Sequence, residues 1–139
     1  MKKVAIVYDF DKTLCTKDMQ EYSLIPALGY DEPADFWKEV TVFTHENNMD
    51  PISAYLYLLA HKFDEQDIPL RKEMFENQGK AIELFPGVET WFDRINAFGN
   101  LLNLNVEHYI ISSGMQEIIQ SSSSAGYFRD IYACRYYYG

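Results

Sequence analysis

At 139 residues, 47% hydrophobic and 24% charged, the chain has the size and make-up of one globular domain, and its 16% aromatic content excludes intrinsic disorder. A formal net charge of -9 argues against nucleic acid and anionic membranes as partners, but it leaves room for a phosphate held by a metal ion or a local nest of amides. Cys15 and Cys134 make no disulfide framework and no zinc spacing, which points to reduced thiols and a cytoplasmic protein. No apolar run nears the ~20 residues that span a bilayer, and the one after Met1-Lys2-Lys3 is too short for a signal peptide.

Val4 to Tyr8 is apolar and rich in β-branched residues, as in a strand buried on both faces of a parallel sheet. A helix is expected near Met19 to Leu28, stopped by Gly29, and another over Ala34 to Thr44. Asp50 and Pro51 suit the cap and first turn of a third helix, whose apolar stripe holds Tyr55, Leu58 and Leu59. A fourth is expected over Leu70 to Ile82. After the Pro86-Gly87 break, Val88, Trp91, Phe92 and Ile95 recur at helical spacing. Strands over Val106 to Ile111 and Ile131 to Tyr138 flank a short helix, Met115 to Gln120, which makes a right-handed βαβ unit. A parallel crossover needs only a dozen or so residues. The far longer stretch between the first two strands is therefore read as a helical insertion, residues 15–85, in an α/β core of residues 1–14 and 86–139.

Asp9-Phe10-Asp11-Lys12-Thr13 follows directly on the first strand. Two carboxylates two residues apart share a side of an extended chain, at the strand end where α/β sheets bind ligands. Held that close, they favour a bound cation or a retained proton. One can then attack as nucleophile while the other carries a proton. A calcium loop would need glycine at its sixth position, where Leu14 stands. A solvated turn or a helix cap is the plainer alternative, and the apolar strand ahead of the motif weighs against the turn.

The run Val4 to Leu14 resembles the first motif of the haloacid dehalogenase (HAD) superfamily of phosphatases, Asp-x-Asp-x-Thr after a hydrophobic strand. The resemblance implies an α/β, Rossmann-like parallel sheet with an inserted helical cap, and hydrolysis of a small phosphomonoester through an aspartyl-phosphate. It makes Asp9 the nucleophile and Asp11 the general acid and base. Magnesium would bind the Asp9 carboxylate and the Asp11 carbonyl. The backbone near Phe10 would face the phosphate, and Thr13 would brace the loop.

Ile110 to Gly114 closes the second strand and opens a helix. Ser113 and Gln116 have capping-box spacing, which explains Ser113 without any ligand. A helix N-terminus with free amides is also a phosphate site. The segment resembles the second HAD motif, with Ser112 on a phosphoryl oxygen and the Ser113 and Gly114 amides beside it.

Two family parts are missing: a lysine that steadies the phosphoryl group, and an acidic pair that completes the metal site. No lysine follows Lys80, and after Ser112 the only acidic residues are Glu117 and Asp130. The sequence therefore reads as a family core truncated at its C-terminus, with little turnover of its own. An open sheet edge is expected, which invites self-association.

The helical insertion resembles the cap of the phosphoserine phosphatase-like branch, where an acidic residue after the first motif binds the substrate amine. Asp18 stands at the comparable place, and Asp18 with Glu21 equally reads as a capping box. The rivals are a phosphotransferase and a non-catalytic module that binds a phosphorylated ligand or a partner. His45, His61 and His108 lack ligand spacing and read as structural or surface groups.

Overall fold

The computed structural model describes residues 1–139. β1 (Lys2–Tyr8), β2 (Leu104–Met115) and β3 (Asp130–Cys134) form a parallel sheet in the order β1-β2-β3. β1 and β2 run in register from Lys2↔Leu104 to Tyr8↔Ile110. β2 and β3 align from Tyr109↔Asp130 to Ile111↔Tyr132, with an irregularity before Met115↔Cys134. The helices are α1 (Leu24–Ala27), α2 (Pro33–Asn47), α3 (Pro51–Glu65), α4 (Glu73–Glu76), α5 (Val88–Leu101) and α6 (Gln116–Gln120). No helix is long and apolar enough to cross a membrane.

The expectation that β1 is buried on both faces is wrong. Val4 is 37% and Val7 53% exposed. β1 is an edge strand, and only one face of the sheet is covered. On that face Tyr8, His108 and Ile110 meet α5, and Phe92 of α5 is fully buried. On the other face Val7, Ile111 and Tyr132 stand in the open, Ile111 opposite Tyr132 in register. Parallel sheets are normally covered on both sides.

A polar network ties α5 to the covered face. Trp91 Nε1 donates to the Tyr8 hydroxyl at 2.9 Å, and that hydroxyl lies 2.8 Å from His108 Nδ1. His108 Nε2 is 2.7 Å from Asn96 Oδ1. Asn96 Oδ1 can only accept, so Nε2 carries a proton, and in the neutral ring Nδ1 then accepts from the Tyr8 hydroxyl. Burial lowers its pKa, in keeping with that form.

α2 and α3 form a helical hairpin. Asn48 ends α2 in the left-handed region, φ 50°, and its N–H reaches Thr44 O. Asp50 Oδ1 caps α3 by accepting from Ser53 N at 2.9 Å, with Pro51 in the first turn. The apolar stripe of α3, which includes Tyr55, Leu58 and Leu59, joins Phe10, Ile110 and Ile118 in one continuous core. The chain leaves the sheet and returns to it along paired segments. Thr16 N donates to Glu83 O at 3.0 Å, and Phe85 N to Leu14 O at 2.9 Å.

Three elements depart from expectation. The helix expected over Met19 to Leu28 is a 3-10 turn, Met19–Glu21, followed by α1. Pro26 lacks the N–H that a continuous helix would need, and the Ser23 hydroxyl is taken by Gln78 Oε1. The helix expected over Leu70 to Ile82 breaks into α4 and a 3-10 turn, Gln78–Ala81, where Gly79 closes on α6. The third strand stops at Cys134. Beyond it Tyr136 stacks on Phe75 and donates its hydroxyl to Leu56 O, while Tyr137 is exposed, so only part of the tyrosine run packs on helices.

Candidate active site

The C-terminal end of β1 delivers the two carboxylates into different surroundings. Asp9 is exposed, and Thr13 Oγ1 donates to its Oδ2 at 3.1 Å. Phe10 is fully buried, and its carbonyl accepts the N–H groups of Thr13, Leu14 and Cys15 at 3.2, 2.9 and 3.3 Å. That clamp turns the loop, and it commits the Phe10 carbonyl to the protein. Lys12 sits at φ 59°.

Asp11 turns inward. Its Oδ1 accepts from Met19 N at 2.8 Å. It lines a cavity of about 280 Å³ together with Asp18, Gln20, Trp37, Tyr55 and Ser113. Burial pushes the Asp11 carboxyl up to about 7; the negative charges of Asp18, Asp9 and Glu21 add to the rise, and the Met19 N–H opposes it.

The folded value thus lies above the ordinary value of 3.8. Stability linked to Asp11 is complete below pH ~4 and lost as pH rises towards 7. Three pKa units correspond to about 4 kcal/mol, and solvent in the open cavity should halve that. Asp11→Asn keeps the acceptor for Met19 N and drops the charge. It is expected to stabilise the fold by about 2 kcal/mol at pH 8 and by nothing measurable at pH 4, read from denaturant unfolding at the two pH values. Equal effects at both would remove the inference that Asp11 holds its proton.

The second motif differs from its expected form. β2 continues through Ser112, Ser113 and Gly114, and α6 starts only at Gln116 and is five residues long. Met115 is the residue before the helix, and no side chain caps it, so the Ser113–Gln116 capping box does not form. Nor are the amides a helix N-terminus open to phosphate. Gly114 N donates to Ser112 Oγ at 2.9 Å, and Met115 N to Met19 Sδ at 3.2 Å. Pairing with β3 stops after Ile111↔Tyr132 and resumes at Met115↔Cys134, so the segment lies in an irregular stretch of the strand. Ser113 reaches the cavity with Asp11, and its carbonyl accepts from the Tyr55 hydroxyl at 2.5 Å. A Cβ on Gly114 would fall 2.0 Å from Met19 Cε, so any larger residue there would have to displace the end of the Met19 side chain.

Asp18 lines the same cavity, but it faces Lys12, with Nζ–Oδ2 at 3.5 Å. Glu21 Oε2 accepts from Asp18 N at 3.2 Å, the reciprocal half of the capping box. Glu21 Oε1 accepts from Trp37 Nε1 at 3.0 Å, which carries the helical hairpin onto the loop. Sequence reasoning missed Met19, whose contribution is a backbone N–H, and Gln20, which lacks any motif.

The Asp9 carboxylate and the Asp11 carbonyl are oxygen donors of the kind magnesium takes. No cluster of three or more His, Cys, Asp or Glu side chains stands ready for a metal, so these residues fit only part of a coordination shell. A larger cavity of about 400 Å³, between Lys72, Glu117 and Arg135, contains neither carboxylate of the first motif.

No protein-family model matches the chain. An uncharacterized protein of Borreliella burgdorferi (strain ATCC 35210 / DSM 4680 / CIP 102532 / B31) is 29% identical over 147 residues, covering 96% of this chain and 50% of that protein. The chain thus spans about half the length of the curated relative it matches.

Proposed function

We propose that these residues carry the nucleophile and the general acid of a phosphomonoester hydrolase resembling the HAD superfamily, in its phosphoserine phosphatase-like branch, with the helices between Cys15 and Phe85 as the cap. The reading rests on the unequal surroundings of the carboxylates. Asp9 is exposed at the end of β1 and steadied by Thr13. Asp11 faces the cavity with a carboxyl that burial pushes to about 7, a value suited to giving and taking a proton near neutrality.

In the first half-reaction a carboxylate oxygen of Asp9 attacks phosphorus, the phosphorus–oxygen ester bond breaks, and Asp11 gives its proton to the departing alkoxide. In the second, Asp11 takes a proton from water as that water attacks the aspartyl-phosphate, which frees phosphate and Asp9. Magnesium, held in part by Asp9 and the Asp11 carbonyl, would neutralise charge on the phosphoryl oxygens. The lysine and the acidic pair would come from outside these 139 residues. The bare face at Val7, Ile111 and Tyr132, the open edge of β1 and the double length of the relative all leave room for further chain. The proposed substrate is a small phosphorylated metabolite such as phosphoserine or another amine-bearing monoester.

The test is covalent trapping. Full-length protein with magnesium and ³²P-labelled p-nitrophenyl phosphate, quenched in acid, should retain label on the peptide containing Asp9, and hydroxylamine should remove it. Phosphate release without label on that peptide would displace Asp9 as the nucleophile. Neither release nor label would favour the ligand-binding reading, and transfer to an added alcohol in place of water would favour a phosphotransferase. Full activity from the 139 residues alone would refute the proposal that the lysine and the acidic pair lie outside them.

A further inference from the structure

The cavity beside Asp11 is apolar on the side that the helical hairpin makes. Trp37 and Val40 of α2 line it there with Pro51, Ile52 and Tyr55 of α3, and its volume of about 280 Å³ suits one ring or a short chain. The polar groups of this wall are already committed to the protein. Trp37 Nε1 donates to Glu21 Oε1 at 3.0 Å, the Tyr55 hydroxyl to Ser113 O at 2.5 Å, and Thr41 Oγ1 to Trp37 O at 3.0 Å. No lysine, arginine or histidine lines the cavity, while Asp11 and Asp18 both do. Lys12, outside the lining, already faces Asp18, with Nζ–Oδ2 at 3.5 Å. A carboxylate entering this space would shed water, meet two acidic side chains and find no counter-charge. An apolar group entering it would only gain by leaving water.

We propose that this cavity selects phosphomonoesters whose organic part presents apolar surface and carries no anionic group, with Trp37 as the wall that part lies against. The proposal rests on the phosphatase reading for the position of the phosphate: if Asp11 protonates the leaving oxygen, the organic part lies on the Asp11 side, in this cavity. The selection itself comes from the lining. It narrows the class of small monoesters named above. A plain alkyl or benzyl group, or an amine without a carboxylate, is admitted, and phosphoserine, which carries a carboxylate, is disfavoured. Specificity here works by withholding a partner from the wrong ligand.

Two arms test it. In the full-length protein, kcat/KM should be at least about tenfold higher for ethyl phosphate than for 2-phosphoglycolate, and for 2-aminoethyl phosphate than for phosphoserine, pairs in which the second member carries an added carboxylate. Thr41→Arg, at an exposed position of α2 on the cavity wall, supplies the cation that the lining lacks and should cut both ratios by about fivefold or more. Ratios near one in the parent, or ratios unmoved by Thr41→Arg, would overturn the proposal. The second arm needs no turnover. In this chain the Trp37 indole N–H signal in NMR should shift with benzylphosphonate and stay in place with 4-carboxybenzylphosphonate at the same concentration. A signal that responds equally to both, or to neither, would also overturn it. If Trp37 discriminates but the full-length protein releases phosphate from no substrate, the hydrolase reading falls and the cavity assignment stands. Phosphate release with no discrimination in either arm leaves the reverse.

Discussion

On the proposed mechanism, Asp9→Asn is expected to reduce phosphate release by the full-length protein by about 10⁴-fold or more, since it would remove the nucleophile and with it the covalent route. Asp11→Asn should behave differently. It removes a proton donor worth about 10²–10⁴-fold, but only where the leaving group needs the proton. Alkyl phosphates depart as strongly basic alkoxides and should show the full loss. p-Nitrophenyl phosphate departs as a stable phenolate and should lose far less in its first half-reaction. With the Asp11 carboxyl at about 7, the acid form thins out above neutrality. kcat/KM for alkyl phosphates should therefore fall as pH rises past 7, with a flatter profile for the aryl ester. Identical losses and identical pH profiles for the two substrates would take the acid role away from Asp11.

Gly79→Ala is expected to cost about 3 kcal/mol or more, at the upper end of overpacking penalties. A Cβ there would sit 2.2 Å from Ile118 O and 2.5 Å from Ser122 N, both backbone atoms of the α6 turn that cannot swing aside, and 2.3 Å from Ser121 Oγ. The same movement would stretch the 2.8 Å bond from Gly79 N to Ser121 Oγ, which docks the helical insertion on the sheet domain. At this chain length the loss corresponds to a fall of about 10 °C in Tm. Gly126→Ala, with nothing within 4 Å of its Cβ, is the control and should stay within about 0.5 kcal/mol. A Tm for Gly79→Ala within a degree or two of the parent would show that the two parts separate without cost.

Local chemistry was readable wherever one residue type settles the matter. Asp50 and Pro51 announced the start of α3, and the spacing of Val88, Trp91, Phe92 and Ile95 announced α5. The apolar runs gave β1 and β2, because β-branched residues favour strands whatever covers them. Coverage is a different question. Val4 and Val7 look equally buried in the sequence, and only the sheet order shows that nothing lies beside or over them. The second motif misled for a related reason. Ser113 and Gln116 have the spacing of a cap, but the strand runs on past both Ser113 and Gly114 before pairing with β3 resumes at Met115. The donors at Asp11 and Ser112 are backbone N–H groups, of Met19 and Gly114, which every residue but proline possesses and no motif records.

The paired crossing of Leu14–Thr16 with Glu83–Phe85 is a double-stranded hinge, and Cys15 bridges it to both Leu84 and Asp11. A single linker would let the helical lobe swing freely; two strands bonded to each other resist twist and permit mainly a rocking motion. With the Phe10 carbonyl clamping the next turn, such rocking is geared to the seat of the Asp11 carboxyl. If the helical lobe acts as the cap proposed above, its opening and the loosening of the Met19 N–H from Asp11 are one mechanical event.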